Sequence, residues 1–143
     1  GSGIIALFGQ DEPAQEACRA AVAASADIDV ALDRLNERFA AELGRPITVA
    51  MGLALGAAYL GRIGAGPSKS FTAIGPAIDV ASDLARRAEG HASQLLSDPA
   101  ALYAGNIDAA AFEQVALPAE NGDSRQAFAI GQARLGAPTE FSA

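Results

Sequence analysis

The sequence predicts a mixed sheet of β-strands with α-helices packed on it. Three observations carry that prediction. Half of the residues are hydrophobic and 19% are charged, the balance of a folded globular chain rather than a disordered one. Short apolar runs rich in Val, Ile and Leu alternate with Ala-rich stretches of helical period. Gly, Pro and Asn-Gly punctuate them, closing helices and opening a hairpin. At 143 residues the chain makes one domain with a true core, placed over residues 1–131. Residues 132–143 carry Gly136 and Pro138 without periodicity and read as a loose tail.

The elements follow in order. Gly3 to Phe8 is an apolar run closed by Gly9 and reads as a buried strand. Gly1-Ser2-Gly3 before it is either a tight turn or a remnant of cloning. Asp11, Glu12 and Pro13 open a long helix, with acidic residues where the helix dipole favours them. Ala17, Ala21, Ala24, Ile28, Leu32, Leu35, Phe39 and Leu43 step by three and four along one stripe. Gly44 and Arg45-Pro46 stop it. Roughly 30 residues make a helix of about 45 Å, long enough to lie across a sheet. Ile47 to Leu55 is the second apolar run, and Ala57 to Ile63 is a further strand pairing back. Gly64 to Ser68 is a loop. Strand Ser70 to Ile74 then ends at Gly75, and a helix follows with Pro76 in its first position, where a fixed φ and a missing N–H both suit the slot. That helix runs to about Glu89, stops at Gly90 and turns Ala77, Ala81, Leu84 and Ala88 inward. Ser93 to Ser97 is a short strand, and Asp98-Pro99 caps a short helix to Tyr103. Phe112 to Leu117 and Gln126 to Ile130 form a hairpin joined at Asn121-Gly122.

Charge and composition exclude several functions. A net charge of -7 argues against nucleic acid and against an anionic membrane surface, and it keeps the domain soluble. The single cysteine, Cys18, allows no internal disulfide and reads as a small buried thiol on an Ala-rich helix. One His and one Cys make no zinc cluster. His91 reads as a surface-loop residue, and Tyr59 and Phe71 as core residues. No apolar run reaches about 18 residues and no signal peptide is visible. The expected place is therefore the cytoplasm, including the cytoplasmic part of a larger membrane-anchored protein.

The stretch Lys69 to Leu84 holds the chemistry. A strand end opens onto a helix start, where unpaired backbone N–H groups point outward and can hold phosphate. The same helix carries Asp79 and Asp83, four apart and so on one face. Two carboxylates beside such a cradle work against an anion.

Taken in order, Gly3-Ile-Ile-Ala-Leu-Phe-Gly9, the long Ala-rich helix, Met51-Gly-Leu-Ala-Leu-Gly56, Gly61-Arg-Ile-Gly64, Phe71-Thr-Ala-Ile-Gly75 and Val80-Ala-Ser82 resemble the class III adenylyl/guanylyl cyclase catalytic domain. The closest look is to bacterial adenylyl cyclases, and the resemblance covers roughly residues 1–130. It implies an α+β, ferredoxin-like palm with a mixed, mainly antiparallel sheet and helices packed on it. It also implies that the N-terminal part of that palm is missing here, with a metal-binding aspartate and the strand carrying a purine-reading lysine. The missing half would lie in another segment or another cyclase chain. Partnership would be as a homodimer or heterodimer through the cyclase surface, because family active sites form at the dimer interface.

The family chemistry needs two aspartates holding two metal ions, an asparagine that orients the ribose and an arginine that offsets transition-state charge. Carried over by position, the second metal aspartate matches Ser2, which supplies no anionic ligand. The asparagine matches Asp79, the arginine matches Asp83, and the aspartate after the glycine matches Pro76. Thr72 agrees with the family, standing where many bacterial adenylyl cyclases read adenine, with Ile74 and Gly75 on the same nucleotide-binding segment. The phosphate-binding lysine near the last hairpin has no clear match, and Arg125 is the cation in that region. An anion facing phosphate instead of a cation changes the interaction by about 4 kcal/mol per charge at 4 Å in an effective dielectric near 20. The expectation is thus a degenerate cyclase homology domain in cyclic-nucleotide signalling, acting as a dimerising or regulatory module, with weak ATP binding. Mg²⁺ or Mn²⁺ is expected only with an intact site. The alternative is part of an active adenylyl cyclase, a phosphorus–oxygen lyase converting ATP to cyclic AMP and pyrophosphate. A third reading makes Asp79 and Asp83 merely a solvated helix face.

Overall fold

The computed structural model describes residues 3–68, 70–89, 91, 94–118 and 124–131. Ser2, Lys69, Gly90, Ser93, the Asn121-Gly122 turn and residues 132–143 lie outside the described residues.

The helical stripe becomes helix α1, Ala14–Arg38, followed by a single turn, α2, Ala40–Leu43. The expected continuous helix is broken at Phe39, whose φ of -109° and ψ of 15° leave the helical region, and Gly44 closes the turn in the left-handed region at φ 64°. Only the N-terminal third of the stripe is fully buried. Ala17, Cys18 and Ala21 are buried, whereas Ile28 and Leu35 are exposed. The helix therefore rests on the domain by its first turns rather than along its length. Arg19 holds that end, donating from Nε to the Gly105 carbonyl at 2.8 Å.

Four strands form one sheet. β1 (Met51–Leu53) pairs in parallel with β4 (Leu95–Ser97), and β4 pairs antiparallel with β6 (Ser124–Ala129). β6 pairs antiparallel with β5 (Glu113–Pro118), giving the order β1-β4-β6-β5. The terminal hairpin is as expected, in the register Leu117 opposite Arg125. Two further strands, β2 (Tyr59–Ile63) and β3 (Ser70–Ile74), make a separate antiparallel ribbon with Tyr59 opposite Ile74. Helix α3 (Pro76–Ala88) and the short α4 (Pro99–Ala104) complete the α+β fold with its mixed sheet.

Period-two alternation sends neighbouring residues of the sheet to opposite faces. On one face Leu96, Ala127 and Ala129 meet Leu84 and Ala88 of α3. On the other, Leu95 and Phe128 pack with Leu102 of α4, with Val22 of α1 against them. Leu84, Leu96 and Leu102 are fully buried, and each contributes about 2 kcal/mol of apolar burial. Gly52 lets α3 approach the sheet. A Cβ there would overlap the Ala81 carbonyl oxygen and stand 2.5 Å from the Ala85 nitrogen.

Three expectations are corrected. Gly3 to Phe8 is not a buried strand; it has no ladder partner among the described residues, and Ile4 is 94% exposed. An apolar run becomes a strand only when an edge is supplied to it, and none of the described strands reaches this one. Ala57 to Ile63 does not pair back on the preceding run. Its strand pairs forward with β3 across a short loop, while the preceding run gives only β1, which pairs with β4. Ile47 is instead held by Asn36, which accepts its N–H at 2.7 Å and donates to its carbonyl at 2.9 Å. Finally, Tyr59 and Phe71 are not core residues, being 71% and 66% exposed.

Candidate functional site

The strand-to-helix junction forms as the sequence predicts. β3 ends at Ile74, Gly75 turns the chain at φ 136°, and Pro76 takes the first helical position. The turn requires glycine on two counts: the φ lies in a region that L side chains rarely adopt, and a Cβ would stand 2.9 Å from the Ala57 carbonyl oxygen.

The open phosphate cradle does not form. Pro76 has no N–H to offer. Ala77 N–H is taken by the Ala57 carbonyl at 3.3 Å, and the N–H groups of Ile78 and Asp79 are both taken by the Gly75 carbonyl, at 2.9 and 3.2 Å. The donors that would meet an anion are spent on β2's entry and on the turn itself.

The remaining predicted positions spread along β3 and α3. Thr72 is half-buried opposite Gly61, and Ile74 is exposed at the strand end. Asp79 is exposed one helical turn from Asp83. Asp83 is not a free anion. Arg86 Nη2 donates to its Oδ1 at 2.5 Å and Arg87 Nε to its Oδ2 at 2.8 Å, with Arg125 Nη1 of β6 at 3.7 Å from Oδ2. The hydrogen bond from Arg87, aided by Arg86 and opposed by partial burial, holds the Asp83 carboxyl below the usual carboxylate range. Arg87 also donates from Nη2 to the Pro118 carbonyl at 2.9 Å, so the cluster fastens α3 to the end of the β5–β6 hairpin. The sequence reading missed this pairing, and the signal that could have found it is the spacing of Asp83, Arg86 and Arg87 along one helix. Arg125 joins only through the hairpin register.

A second carboxylate was legible as a helix cap. Asp98 is buried, its Oδ1 accepting Ala101 N–H at 2.8 Å and its Oδ2 accepting Leu55 N–H at 3.2 Å. Burial pushes its pKa up against the pull of those two N–H groups. Cys18 is buried as expected, and burial, with Asp98 second, pushes its thiol up as well. His91 is half-buried at the end of α3, with its N–H on the Ala88 carbonyl at 3.1 Å.

Among the described residues no three metal-ligating side chains come together. A metal placed at Asp83 would compete with two guanidinium groups for both oxygens, so this residue is poorly suited to hold one. No described helix is long and apolar enough to cross a membrane.

The fold and the junction define an α+β protein with a mixed sheet and a Gly-Pro strand-to-helix turn. No protein family, curated protein or solved structure matches the chain.

Proposed function

We propose that this chain is a cyclase homology domain of the class III type, catalytically degenerate, acting as a dimerising or regulatory module in cyclic-nucleotide signalling. The observation that carries the reading is Asp83. It stands where the family keeps a transition-state arginine, and its carboxylate is consumed by Arg86 and Arg87. A cluster that ties α3 to the Pro118 end of the hairpin serves architecture and leaves no cation directed from that position at a reacting phosphate. The spent N–H groups at Ala77, Ile78 and Asp79 support the same conclusion, as does the exposed Asp79 carboxylate in the place of a ribose-orienting amide.

The alternative, one chain of an active adenylyl cyclase, draws on a single feature. Thr72 is half-buried on β3, in the position associated with adenine reading. Co-expression with an active class III adenylyl cyclase, followed by a cyclic AMP assay, separates the two. The degenerate reading predicts no activity from this chain alone and no contribution of its own residues to the partner's catalysis. A drop in the mixture's cyclic AMP output on Thr72→Ala, with complex formation intact, selects the alternative.

A further inference from the structure

Asp98 joins three parts of the chain at one buried point, 9% exposed. Its backbone N–H donates to the Leu53 carbonyl at the end of β1, at 2.9 Å. Its Oδ1 caps α4 by accepting Ala101 N–H at 2.8 Å, and its Oδ2 accepts Leu55 N–H at 3.2 Å. These two carboxylate bonds differ in kind. The Ala101 bond is the shorter and closes within the first turn of α4. The Leu55 bond spans 43 residues of chain and holds the start of an exposed link, residues 55–58, that is neither helix nor strand. This link leads from β1 into the β2–β3 ribbon, whose strands pair with none of the four-stranded sheet. Further along it the Ala57 carbonyl accepts Ala77 N–H at 3.3 Å.

We infer that Asp98 is a pH-sensitive clamp, whose carboxylate holds the 55–58 link to the end of the sheet and whose neutral acid releases it. The inference goes beyond the cyclase reading and rests on no part of it. An ionised carboxyl accepts through both oxygens, whereas a protonated one keeps an acceptor on one oxygen and carries an O–H donor on the other. A proton taken from solvent onto Oδ2 sets that O–H against the Leu55 N–H, two donors facing each other. Oδ1 keeps the shorter bond to Ala101. Proton uptake therefore breaks the long-range bond and spares the helix cap. Burial favours the neutral acid and pushes the Asp98 carboxyl up, opposed by the N–H groups of Ala101 and Leu55 and by the charge of Arg125 on β6. From α1, Cys18 also faces it, with its thiol pushed up and so uncharged. β1 and β4 carry no titratable side chain, and Tyr103 of α4 is exposed. Release accordingly falls above the ordinary carboxylate value of about 4, where Asp83, held below that range, is still ionised. What opens is one segment rather than the whole fold.

The test is a proton–nitrogen NMR titration of the full chain from about pH 8 to about pH 5, with heteronuclear NOE values read at both ends. In the native chain the Leu55 amide proton is expected to move upfield as its bond is lost. The NOE values of Leu55 to Ala58 are expected to fall with the same midpoint. The amides of Ala101, Leu96 and Leu102 are expected to keep their rigid values throughout. Asp98→Asn, which like the neutral acid offers one acceptor and one donor group, is expected to show the released state of the link at every pH, with no titration. Asp83→Asn is expected to titrate at Leu55 as the native chain does. Circular dichroism checks that each variant is folded, and the native titration stands on its own should Asp98→Asn fail to fold. A Leu55 amide that does not move over the range overturns the inference. So does a movement that persists in folded Asp98→Asn or disappears in folded Asp83→Asn. Loss of rigidity at Leu96 and Leu102 together with the link shows general acid unfolding and also overturns it.

Discussion

Asp83 gathers the guanidinium groups of Arg86 and Arg87 from its own helix and approaches that of Arg125 across the hairpin. Arg86 is largely solvated, so the cluster as a whole is a screened, partly exposed network and contributes modestly. Asp83→Ala is expected to lower stability by about 1 kcal/mol in urea unfolding. Its pH dependence has a definite sign. The folded pKa is depressed, so the contribution is present above the unfolded carboxylate value near about 4 and is lost as the pH falls through the folded pKa. The stability gap between the native chain and Asp83→Asn should therefore narrow in strong acid. Asp98 behaves oppositely. Burial raises its pKa, so its ionised form costs stability at neutral pH and that cost is relieved as the pH falls. Its oxygens nevertheless satisfy two backbone N–H groups, at Ala101 and Leu55. Asp98→Ala is expected to cost about 2 kcal/mol in thermal or urea unfolding, and Asp98→Asn, which keeps an acceptor, clearly less. The Asp98 cap was legible in the sequence because its partner lies within four residues; the Asp83–Arg87 pair lies as close but was missed, since Asp83 was expected to be a free carboxylate. The bond from Leu55 N–H to the Asp98 carboxylate was not legible, since it depends on the parallel pairing of β1 with β4.

Among the elements, α3 packs tightly against β1, and Gly52 permits it. Gly52→Ala is expected to cost about 3 kcal/mol, read as a fall in thermal midpoint, because the added methyl meets helix backbone that has no freedom to yield. Element existence was largely readable. α3 with Pro76, α4 with its Asp98 cap and the β5–β6 hairpin all follow from local signals, namely a helical stripe, a capping residue and alternation around a turn. Pairing was not readable to the same degree. Ile47 to Leu55 looked like a long strand, but only Met51–Leu53 finds a partner, and Ala57 to Ile63 joined the ribbon rather than its predecessor. Gly3 to Phe8 has strand composition and no ladder among the described residues. Strand propensity describes how well a residue fits a pleated surface, and it cannot supply the neighbouring edge. The long stripe of α1 failed in a related way. Its period is helical throughout, but the domain offers a surface only to Ala17, Cys18, Ala21 and their neighbours.

At the scale of the whole molecule, an acidic α+β domain presents one junction built on Gly75 and Pro76. The junction was legible as backbone and misleading as chemistry. Its glycine and proline are where the sequence puts them, but the N–H groups expected to face outward are spent on Ala57 and Gly75, and one of the two expected free carboxylates is bound by arginine. Electrostatic repulsion from Asp83 is accordingly smaller than two bare carboxylates imply. In the proposed reading, nucleotide binding is opposed by the occupied N–H groups of Ala77, Ile78 and Asp79 together with the exposed Asp79 carboxylate. Those groups would have to bind triphosphate tightly for the proposed reading to fail. Isothermal titration of the chain with ATP in the presence of Mn²⁺ measures this directly. The account predicts no saturable heat in the micromolar range, and saturable micromolar binding with one nucleotide per chain or per dimer would contradict it.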